Sequence, residues 1–421
     1  MKKELTLVAL TTLALAACQP TRKDDYGWIK KGLDVASTQL QLTASEVESS
    51  GMFPRSIYTS GNIYFLTWQL GRDSANIRRV RQPAPDQLGQ RRLCDAYDWT
   101  SGFFPGSLWY AYELTGDEAL KAQAIRYTNR LNPVRHYRGT HDLGFMVNCS
   151  YGNAQRLAPN DTIATVMRET ANNLSSRFND TIGAIRSWDF GTWHFPVIID
   201  NMMNLDLLFA VSKATGDSQY KEIAIQHAIT TLRNHFRPDH TSWHVVSYNA
   251  DGTVERKQTY QGRDDQSAWA RGQAWGLYGY TSCYRETRDT LFLGEAIRIA
   301  DMIMSHVRTN DAIPYWDYDA PASIETPRDA SAAAITASAL IELSTLVPTG
   351  EQYLDYAEKI LKSLSSDDYL ARKGENQGFI LMHSVGSLPN SSEIDTPLNY
   401  ADYYYLEALK RFIDVKKIKL S

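Results

Sequence analysis

Two carboxylates with apolar neighbours are the residues of this sequence best suited to acid–base chemistry. Asp142 lies in a His-Asp-Leu-Gly-Phe segment at 141–145, and Asp200 lies in Ile-Ile-Asp-Asn-Met-Met-Asn-Leu at 198–205. An apolar environment makes a carboxylate costly to ionise and raises its pKa. An acid that keeps its proton near neutral pH can donate that proton in catalysis. The two segments therefore predict a paired-carboxylate active site.

Helix capping is the alternative interpretation of both acids. Asp is favoured at the first position of a helix, and Asp142 and Asp200 both precede helix-like runs. The two interpretations are compatible, because an acid at the start of a helix also lies where loops form clefts.

Pairs of helices are predicted along most of the chain. The segments Thr-Gly-Asp at 115–117 and 215–217 each follow one helical pattern and precede another, over 119–131 and 220–236. In each, the Gly is expected to end one helix and the Asp to begin the next. Weaker copies span 278–307 and 332–364, and a last helix is predicted over 400–413. Repeated pairs of this kind indicate stacked helical hairpins.

The spacing between the pairs varies, which argues against a solenoid and favours an all-α (α/α)6 toroid. Long inserts at 188–195, 237–269 and 313–329 are rich in Trp, His, Tyr, Asp and Gly. In a toroid such loops lie on one face and build a cleft where the inner helices begin. That placement explains why four acids precede helical runs: Asp98, Asp142, Asp200 and Asp329.

The N-terminus predicts export. The apolar run from Leu5 to Ala17 follows two lysines and is too short to span a bilayer, as in a signal peptide. The sequence Leu-Ala-Ala-Cys at 15–18 resembles the lipobox of bacterial lipoproteins, which implies cleavage before Cys18 and its lipidation. We predict a signal peptide over 1–17, a lipid-anchored tether over 18–26 and one catalytic domain over 27–421. An ordinary signal peptide with an incidental Cys is the alternative.

Composition narrows the class of protein. The formal net charge of −4 argues against a nucleic-acid binder. The spacing of Cys94, Cys149 and Cys283 resembles no zinc site, and three cysteines are too few for a disulfide framework. A bridge between Cys94 and Cys149 is left open. Ten Trp and 24 Tyr supply rings of the kind on which sugars stack, although most are expected in the core.

Six segments in the same order resemble glycoside hydrolase family 88, the unsaturated glucuronyl hydrolases. They begin at Asp98, His141, Ile199, Gln261, Ser267 and Tyr400 and, with their surroundings, place the resemblance over about 30–415. The resemblance implies action on lyase-generated oligosaccharides that carry a 4,5-unsaturated uronic acid at the non-reducing end. It also implies hydration of the C4=C5 enol ether rather than direct protonation of the glycosidic oxygen. One acid that donates a proton and then draws one from water can serve both steps.

The resemblance also assigns roles to residues. It implies that Asp200 is the acid/base and that Asp142 is a second essential acid whose charge helps to keep Asp200 protonated. His244 and Gln261 match residues that contact the sugar near the double bond. Arg271 is expected to hold the anionic end of the reacting system, with a structural ion pair as its alternative. The other candidates for substrate binding are Trp269, Trp275, Trp99, Trp193, Ser384 and Ser387.

Two of these aromatic candidates are close in sequence and are expected to differ in role. Trp269 and Trp275 both lie near Arg271, and we expect one to line the cleft and the other to pack in the core.

One cleft loop departs from the family pattern. Members that prefer sulfated fragments resemble Ser-x-x-Ser-x-Lys, whereas this chain has Ser384, Ser387 and then Pro389 in place of the Lys. Pro supplies neither a charge nor an N–H group. We therefore expect weak sulfate recognition.

The predicted protein is a glycosidase without metal or cofactor, and its substrates are unsaturated uronic-acid oligosaccharides. We expect a monomer or weak dimer, lipid-anchored in the periplasm of a Gram-negative bacterium, with the outer membrane as the expected membrane. The alternatives are an unsaturated rhamnogalacturonyl hydrolase, an inverting glucosidase of the same fold, and a non-catalytic glycan-binding lipoprotein. A pure binder has no reason to retain both Asp142 and Asp200.

Overall fold

Twelve α-helices dominate the part of the chain that the computed structural model describes, residues 26–59 and 83–419. The predicted signal peptide and Cys18 lie outside these residues. In chain order the helices are α1 (Gly27–Glu46), α2 (Phe103–Thr115), α3 (Glu118–Asn129), α4 (Asn153–Leu157), α5 (Asp161–Ser175), α6 (Asn201–Thr215), α7 (Ser218–His235), α8 (Ala270–Thr287), α9 (Thr290–His306), α10 (Ala330–Ser344), α11 (Glu351–Leu364) and α12 (Asn399–Lys416). A π-helix, Gly144–Gly152, leads directly into α4.

The helices form a closed double ring. The even-numbered helices form the inner ring, and each packs on the next. The π-helix and the short α4 together take one place in this ring, and α12 packs on α2 and closes it. The odd-numbered helices lie outside, and α1 is the outer partner of α12, since a Cβ atom at Gly32 would meet the Tyr405 hydroxyl. The structure therefore confirms the predicted (α/α)6 toroid.

Local cap chemistry explains the hairpins. Gly116 and Gly216 end α2 and α6 with φ of 71° and 76°, a left-handed conformation that favours Gly. Asp117 and Asp217 then accept hydrogen bonds from backbone N–H groups in the first turn of α3 and α7. In the third copy Arg288 takes the left-handed position with φ of 60°. The second helices of these pairs begin one or two residues earlier than predicted. The prediction started them at the first residues of the apolar pattern, whereas each helix begins directly after its capping Asp.

Short antiparallel strands build the end of the toroid where the inner helices begin. The pairs are β1 (Phe53–Ile57) with β2 (Arg91–Cys94), β3 (Phe178–Asn179) with β4 (Ala184–Ile185), and β8 (Ser384–Ser387) with β9 (Ser392–Thr396). A three-stranded sheet has the order β5 (Pro196–Ile198), β6 (Val245–Tyr248) and β7 (Val254–Gln258). These strands lie in the loops that precede inner helices, so they shape the cleft.

The core fills the barrel. Inner helices are buried on most faces because they contact two inner neighbours and an outer helix; α10, for example, is buried along nearly its whole length. Cys94, Cys149 and Cys283 are buried and free, so the bridge left open between the first two is not formed. None of the helices in the described ranges has the length and apolar character needed to cross a membrane.

Candidate active site

The predicted acids meet at the starts of the inner helices. Asp200 immediately precedes α6, Asp142 lies just before the π-helix, and Arg271 lies in the first turn of α8. Asp142 and Arg271 both come close enough to Asp200 for their charges to change its pKa. Residues separated widely in sequence thus form one site.

Asp200 is a buried acid that holds a proton near neutral pH. It is 7% exposed. Burial raises the pKa of Asp200 to about 7, with Asp142 raising it further and Arg271 opposing the rise. Among the described residues, Oδ2 of Asp200 has no hydrogen-bond partner, and the side chain does not cap α6. The capping alternative is therefore not realised here, and the acid is available for proton transfer.

His244 faces this acid in a defined tautomer. Its Nε2 lies 3.6 Å from Oδ2 of Asp200. Its Nδ1 accepts hydrogen bonds from the backbone N–H groups of Tyr260 and Gln261, each at 3.1 Å, so the ring proton is on Nε2. Burial holds the pKa of His244 well below its usual value, which keeps the ring neutral. This neutral N–H group faces Asp200 and favours the ionised form of Asp200 after that acid has donated its proton.

Asp142 is fixed by its immediate neighbours rather than by a cap. The Thr140 hydroxyl donates to Oδ2 at 2.6 Å, and Nε2 of His141 lies 3.2 Å from Oδ1. Burial lowers the pKa of His141, so its imidazole is neutral beside the carboxylate. This arrangement orients Asp142 and places its negative charge near Asp200.

Arg271 is fully buried and tied to the protein. It pairs with Asp329 at 3.1 Å and donates to the backbone carbonyls of Val385 and Gly386 in β8. Its guanidinium also lies 4.5 Å from the ring centre of Trp269. The structural ion pair considered as an alternative is thus present, and the same positive charge lowers the pKa of Asp200.

Gln261 contributes to the same framework. Its backbone N–H fixes the His244 ring, and its side-chain amide donates to the Gly386 carbonyl at 3.2 Å. The side chain therefore bridges the histidine loop and β8.

Trp269 and Trp275 are both buried, and each lies beside a different residue of the site. The Trp269 ring centre lies 4.7 Å from that of His244, next to the site. Trp275 is fully buried and packs on Phe145 and Tyr404, with ring centres 5.1 Å and 5.5 Å away. Trp275 is therefore a core residue whose indole also touches the surroundings of Asp200.

The weaker aromatic candidates lie on two sides of the cleft. Trp99 is half-buried, with its ring centre 5.0 Å from that of Tyr400. Trp193 is half-buried in a cluster with Trp188 and Tyr260, and Trp188 faces His244 at 6.2 Å.

Strand β8 begins and ends with the two serine candidates. Ser384 is buried, and its hydroxyl has no hydrogen-bond partner among the described residues. The Ser387 hydroxyl accepts a hydrogen bond from the Asn390 amide at 2.7 Å. Pro389 lies in the turn between the strands, so that turn has no positive charge at this position.

A buried ion cluster beside this loop was missed by the sequence prediction. Glu393 pairs with Arg55 at 2.8 Å and with Arg92 at 3.2 Å, and Arg55 also pairs with Asp98. Burial alone would raise the pKa of Glu393, but Arg55, Arg92 and the Ser56 hydroxyl lower it to about 2. Arg55 and Glu393 are 338 residues apart, so no local pattern could have paired them.

Metal ligation has no candidate in the described part of the chain. Residues 26–59 and 83–419 contain no group of three or more His, Cys, Asp or Glu placed to hold a metal ion.

Together, a six-hairpin toroid and a buried acid pair at the start of its inner helices define a glycosidase-type site. Similar proteins identify the family. Over 319 residues the chain is 49% identical to an unsaturated glucuronyl hydrolase of Formosa agariphila, covering 75% of this chain and 80% of that protein. An unsaturated glucuronyl hydrolase of Bacillus sp. strain GL1 is 34% identical, covering 81% of this chain and 94% of that protein.

Structural similarity agrees with the sequence comparison. A crystal structure of an unsaturated glucuronyl hydrolase specific for heparin matches with a TM-score of 0.85 and 50% identity, covering 94% of this chain and 99% of that one. Residues 1–72 also match a family model described as a domain of unknown function. The chain belongs to the unsaturated glucuronyl hydrolases, glycoside hydrolase family 88, and acts on unsaturated uronic-acid oligosaccharides.

Proposed function

We propose that Asp200 carries out both proton transfers of an enol-ether hydration. Protonated Asp200 donates its proton to C4 of the unsaturated uronic acid, and the C4=C5 electron pair forms the new C–H bond. Water then adds to the oxocarbenium-like C5 and returns a proton to the Asp200 carboxylate. The resulting hemiketal opens at its ring C5–O bond to give a C5 ketone and a hemiacetal at C1. The hemiacetal then collapses to the aldehyde, its hydroxyl proton passes to the glycosidic oxygen through solvent, and the next sugar leaves as an alcohol.

The observation that carries this proposal is the state of Asp200. It is buried, its pKa is about 7, and Oδ2 is free of hydrogen bonds among the described residues. After the first transfer, the Nε2–H group of His244 stabilises the carboxylate. The charge of Asp142 makes reprotonation favourable, so the acid is ready for the next cycle.

For the substrate, we infer an unsaturated disaccharide of the heparin type with few or no sulfates. The similar hydrolase of known structure that is specific for heparin supports a heparin-type polysaccharide as the source of the disaccharide. The Ser387 hydroxyl lies at the end of β8, Ser384 is buried at the start of that strand, and the turn that follows has Pro389 where a Lys would supply a cation. Hydrogen bonds from neutral donors to an anion are weaker than charge-assisted ones. Lys373, a nearby alternative in sequence, is already paired with Asp34.

A panel of lyase-generated disaccharides tests the substrate assignment. The purified protein is mixed with unsulfated and sulfated heparin disaccharides and with unsaturated rhamnogalacturonan fragments, and loss of ultraviolet absorbance reports consumption of C4=C5. We expect the unsulfated heparin disaccharide to be hydrolysed at least as well as its sulfated counterpart, and Pro389→Lys to shift that ratio toward the sulfated one. A clear wild-type preference for sulfate contradicts the loop argument. Faster turnover of the rhamnogalacturonan fragments would instead support the alternative function, an unsaturated rhamnogalacturonyl hydrolase.

We also propose that the protein is a periplasmic lipoprotein anchored through Cys18. The lipobox-like sequence at 15–18 supports this proposal, and these residues lie outside the described ranges. Cys18→Ser should move the protein from the membrane to the soluble fraction in a Gram-negative host. Unchanged partitioning in that assay would show that the anchor assignment is wrong.

A further inference from the structure

A cavity extends along the inner helices from Met203, about 5 Å along α6 from Asp200, toward the end of the toroid where these helices finish. Its volume is about 620 Å³, and its walls come from the π-helix and from α2, α4, α5, α6, α8 and α12. Asp206 and Lys213 line it from α6. Since an α-helix rises 1.5 Å per residue, they lie about 9 Å and about 20 Å along α6 from Asp200. The cavity therefore runs along α6 below Asp200 and reaches the end of the toroid where the inner helices finish.

Buried rings separate this cavity from the active site. Tyr404 lines the cavity, and its ring packs on Trp275 with centres 5.5 Å apart. On its other side, Trp275 lies beside Asp200 and packs on Phe145. The two spaces thus share a wall without being one site.

The deep arginines of the cavity are fully paired with carboxylates. Arg285 pairs with Asp206 at 2.9 Å and with Glu342 at 2.8 Å. Arg411 pairs with Glu342 at 3.0 Å and with Glu407 at 3.5 Å. These four charged side chains of the lining, with Glu342 behind them, form one network in which three carboxylates outnumber two guanidinium groups, so no positive charge is in excess there.

The outer part of the lining carries the excess positive charge. Arg168 and Lys213 both line the cavity and are exposed, and neither takes part in an ion pair within the described residues. A concave surface with unneutralised cations concentrates anions. Asn148 and Gln155 in the same lining add amide groups that can hydrogen-bond to hydroxyls.

We propose that this cavity is a second binding site, for a small anionic sugar that carries a carboxylate or a sulfate ester. Its volume is within the usual range of ligand pockets, about 300–1,000 Å³. Arg168 and Lys213 pair with the anion, while Asn148 and Gln155 bind hydroxyls. The π-helix in its wall fits this role, because π-helical turns frequently occur at functional sites.

Calorimetric titration of the full chain tests the site with three probes: glucuronic acid, glucosamine 6-sulfate and neutral N-acetylglucosamine. We expect saturable binding of at least one anion, weakened about tenfold or more in R168A/K213A, as fits the loss of charge-assisted hydrogen bonds. The matched control R233A/K359A removes one exposed Arg and one exposed Lys elsewhere and should bind like the wild type. The two anions distinguish a uronate site from a sulfate site.

A cavity-filling variant provides a second readout. Ala210 lines the cavity, so Ala210→Trp should block it and abolish the same binding, while turnover of an unsaturated disaccharide is unchanged in R168A/K213A. Absence of saturable anion binding would overturn the proposal. So would anion binding that R168A/K213A leaves unchanged, which would place the probe elsewhere. Equal binding of N-acetylglucosamine would show that the cavity does not select anions.

Discussion

At the residue scale, the surroundings of an acid decide its role. Asp200, Asp142 and Asp329 all precede inner helices, yet only Asp329 of the three caps its helix, accepting from the N–H groups of Ser331 and Ala332. The carboxylate of Asp329 is occupied by this cap and by Arg271, whereas Asp200 is buried and keeps one oxygen without a hydrogen-bond partner among the described residues. Capping and catalysis are thus distinguished by the hydrogen bonds of the side chain and not by position along the chain.

Replacement of Asp200 tests proton donation. Asp200→Asn preserves the shape of the side chain but removes the transferable proton, so we expect kcat on an unsaturated disaccharide to fall by at least about 10²-fold. Steady-state kinetics by ultraviolet absorbance measure the change. Asp180→Asn, at an exposed acid, is the matched control and should have wild-type kcat. Near-normal turnover by Asp200→Asn would remove Asp200 from the mechanism.

Replacement of Asp142 tests the electrostatic coupling. The active form has Asp200 protonated, so activity is lost as pH rises through the pKa of Asp200, about 7. Removing the negative charge of Asp142 makes ionisation of Asp200 easier and lowers that pKa. Asp142→Asn should therefore move the alkaline limb of the kcat/KM profile to lower pH and also slow the enzyme. A slow variant with an unmoved limb would leave Asp142 as a positioning residue only.

At the scale of elements, the two acid-bearing segments are held together by close packing of their helices. Gly144 of the π-helix lies against Asn204 of α6, where an added Cβ atom would come 2.6 Å from the Asn204 Cα atom. Oδ1 of Asn204 accepts a hydrogen bond from the backbone N–H of Phe145 at 2.8 Å. The Gly and Asn in the two motifs thus fix the distance between the elements that carry Asp142 and Asp200.

Gly144→Ala should push these helices apart. Overpacking of a well-packed contact costs about 1–3 kcal/mol, and we expect a loss of folding free energy in that range together with lower kcat. Urea unfolding and disaccharide kinetics measure the two effects. Gly294→Ala in α9 is the control: its nearest neighbour would be 3.5 Å away, so helix propensity should make it neutral or stabilising. Equal behaviour of the two variants would refute the packing argument.

At the scale of the whole molecule, the ring is closed by contacts between the two ends of the chain. Gln39 of α1 is fully buried, and its amide donates to the carbonyls of Glu375 and Phe379 at 2.7 Å and 3.0 Å. Its oxygen accepts from the N–H of Gly374 at 2.8 Å. Asp402 of α12 continues this support by accepting from the next backbone N–H groups, Ile380 and Leu381. First and last helices therefore hold the segment that leads into β8.

Gln39→Ala should destabilise the closed ring. It removes three hydrogen bonds: the Gly374 N–H loses its partner, while the carbonyls of Glu375 and Phe379 keep their bonds from Gly378 and Asn376. A typical hydrogen bond contributes about 0.5–1.5 kcal/mol, so we expect a loss of about 2 kcal/mol. The readout is the urea midpoint at constant m-value. Thr38→Ala on the same helix removes only an exposed bond to its own backbone and should change stability little. A Gln39→Ala midpoint equal to that of Thr38→Ala would contradict the role given to Gln39.

The sequence by itself determined the features that depend on near neighbours. Gly116 with Asp117, and Gly216 with Asp217, specify the end of one helix and the start of the next through φ preference and short-range hydrogen bonds. The apolar runs around Asp142 and Asp200 indicated acids in a buried setting. The order of the six motifs was then enough to indicate the family. Each motif is a short stretch of sequence, although the site is built from residues far apart in the chain.

Only the tertiary structure decided how distant residues share the site. The tautomer of His244 depends on the backbone of another loop, and the partners of Arg271 lie 58 to 115 residues away. The Arg55–Glu393 pair spans nearly the whole chain, and the cavity along α6 exists only between helices of the closed ring. Burial, and with it the pKa of Asp200, follows from that closure: solvent is excluded by elements far apart in sequence, which no local pattern encodes.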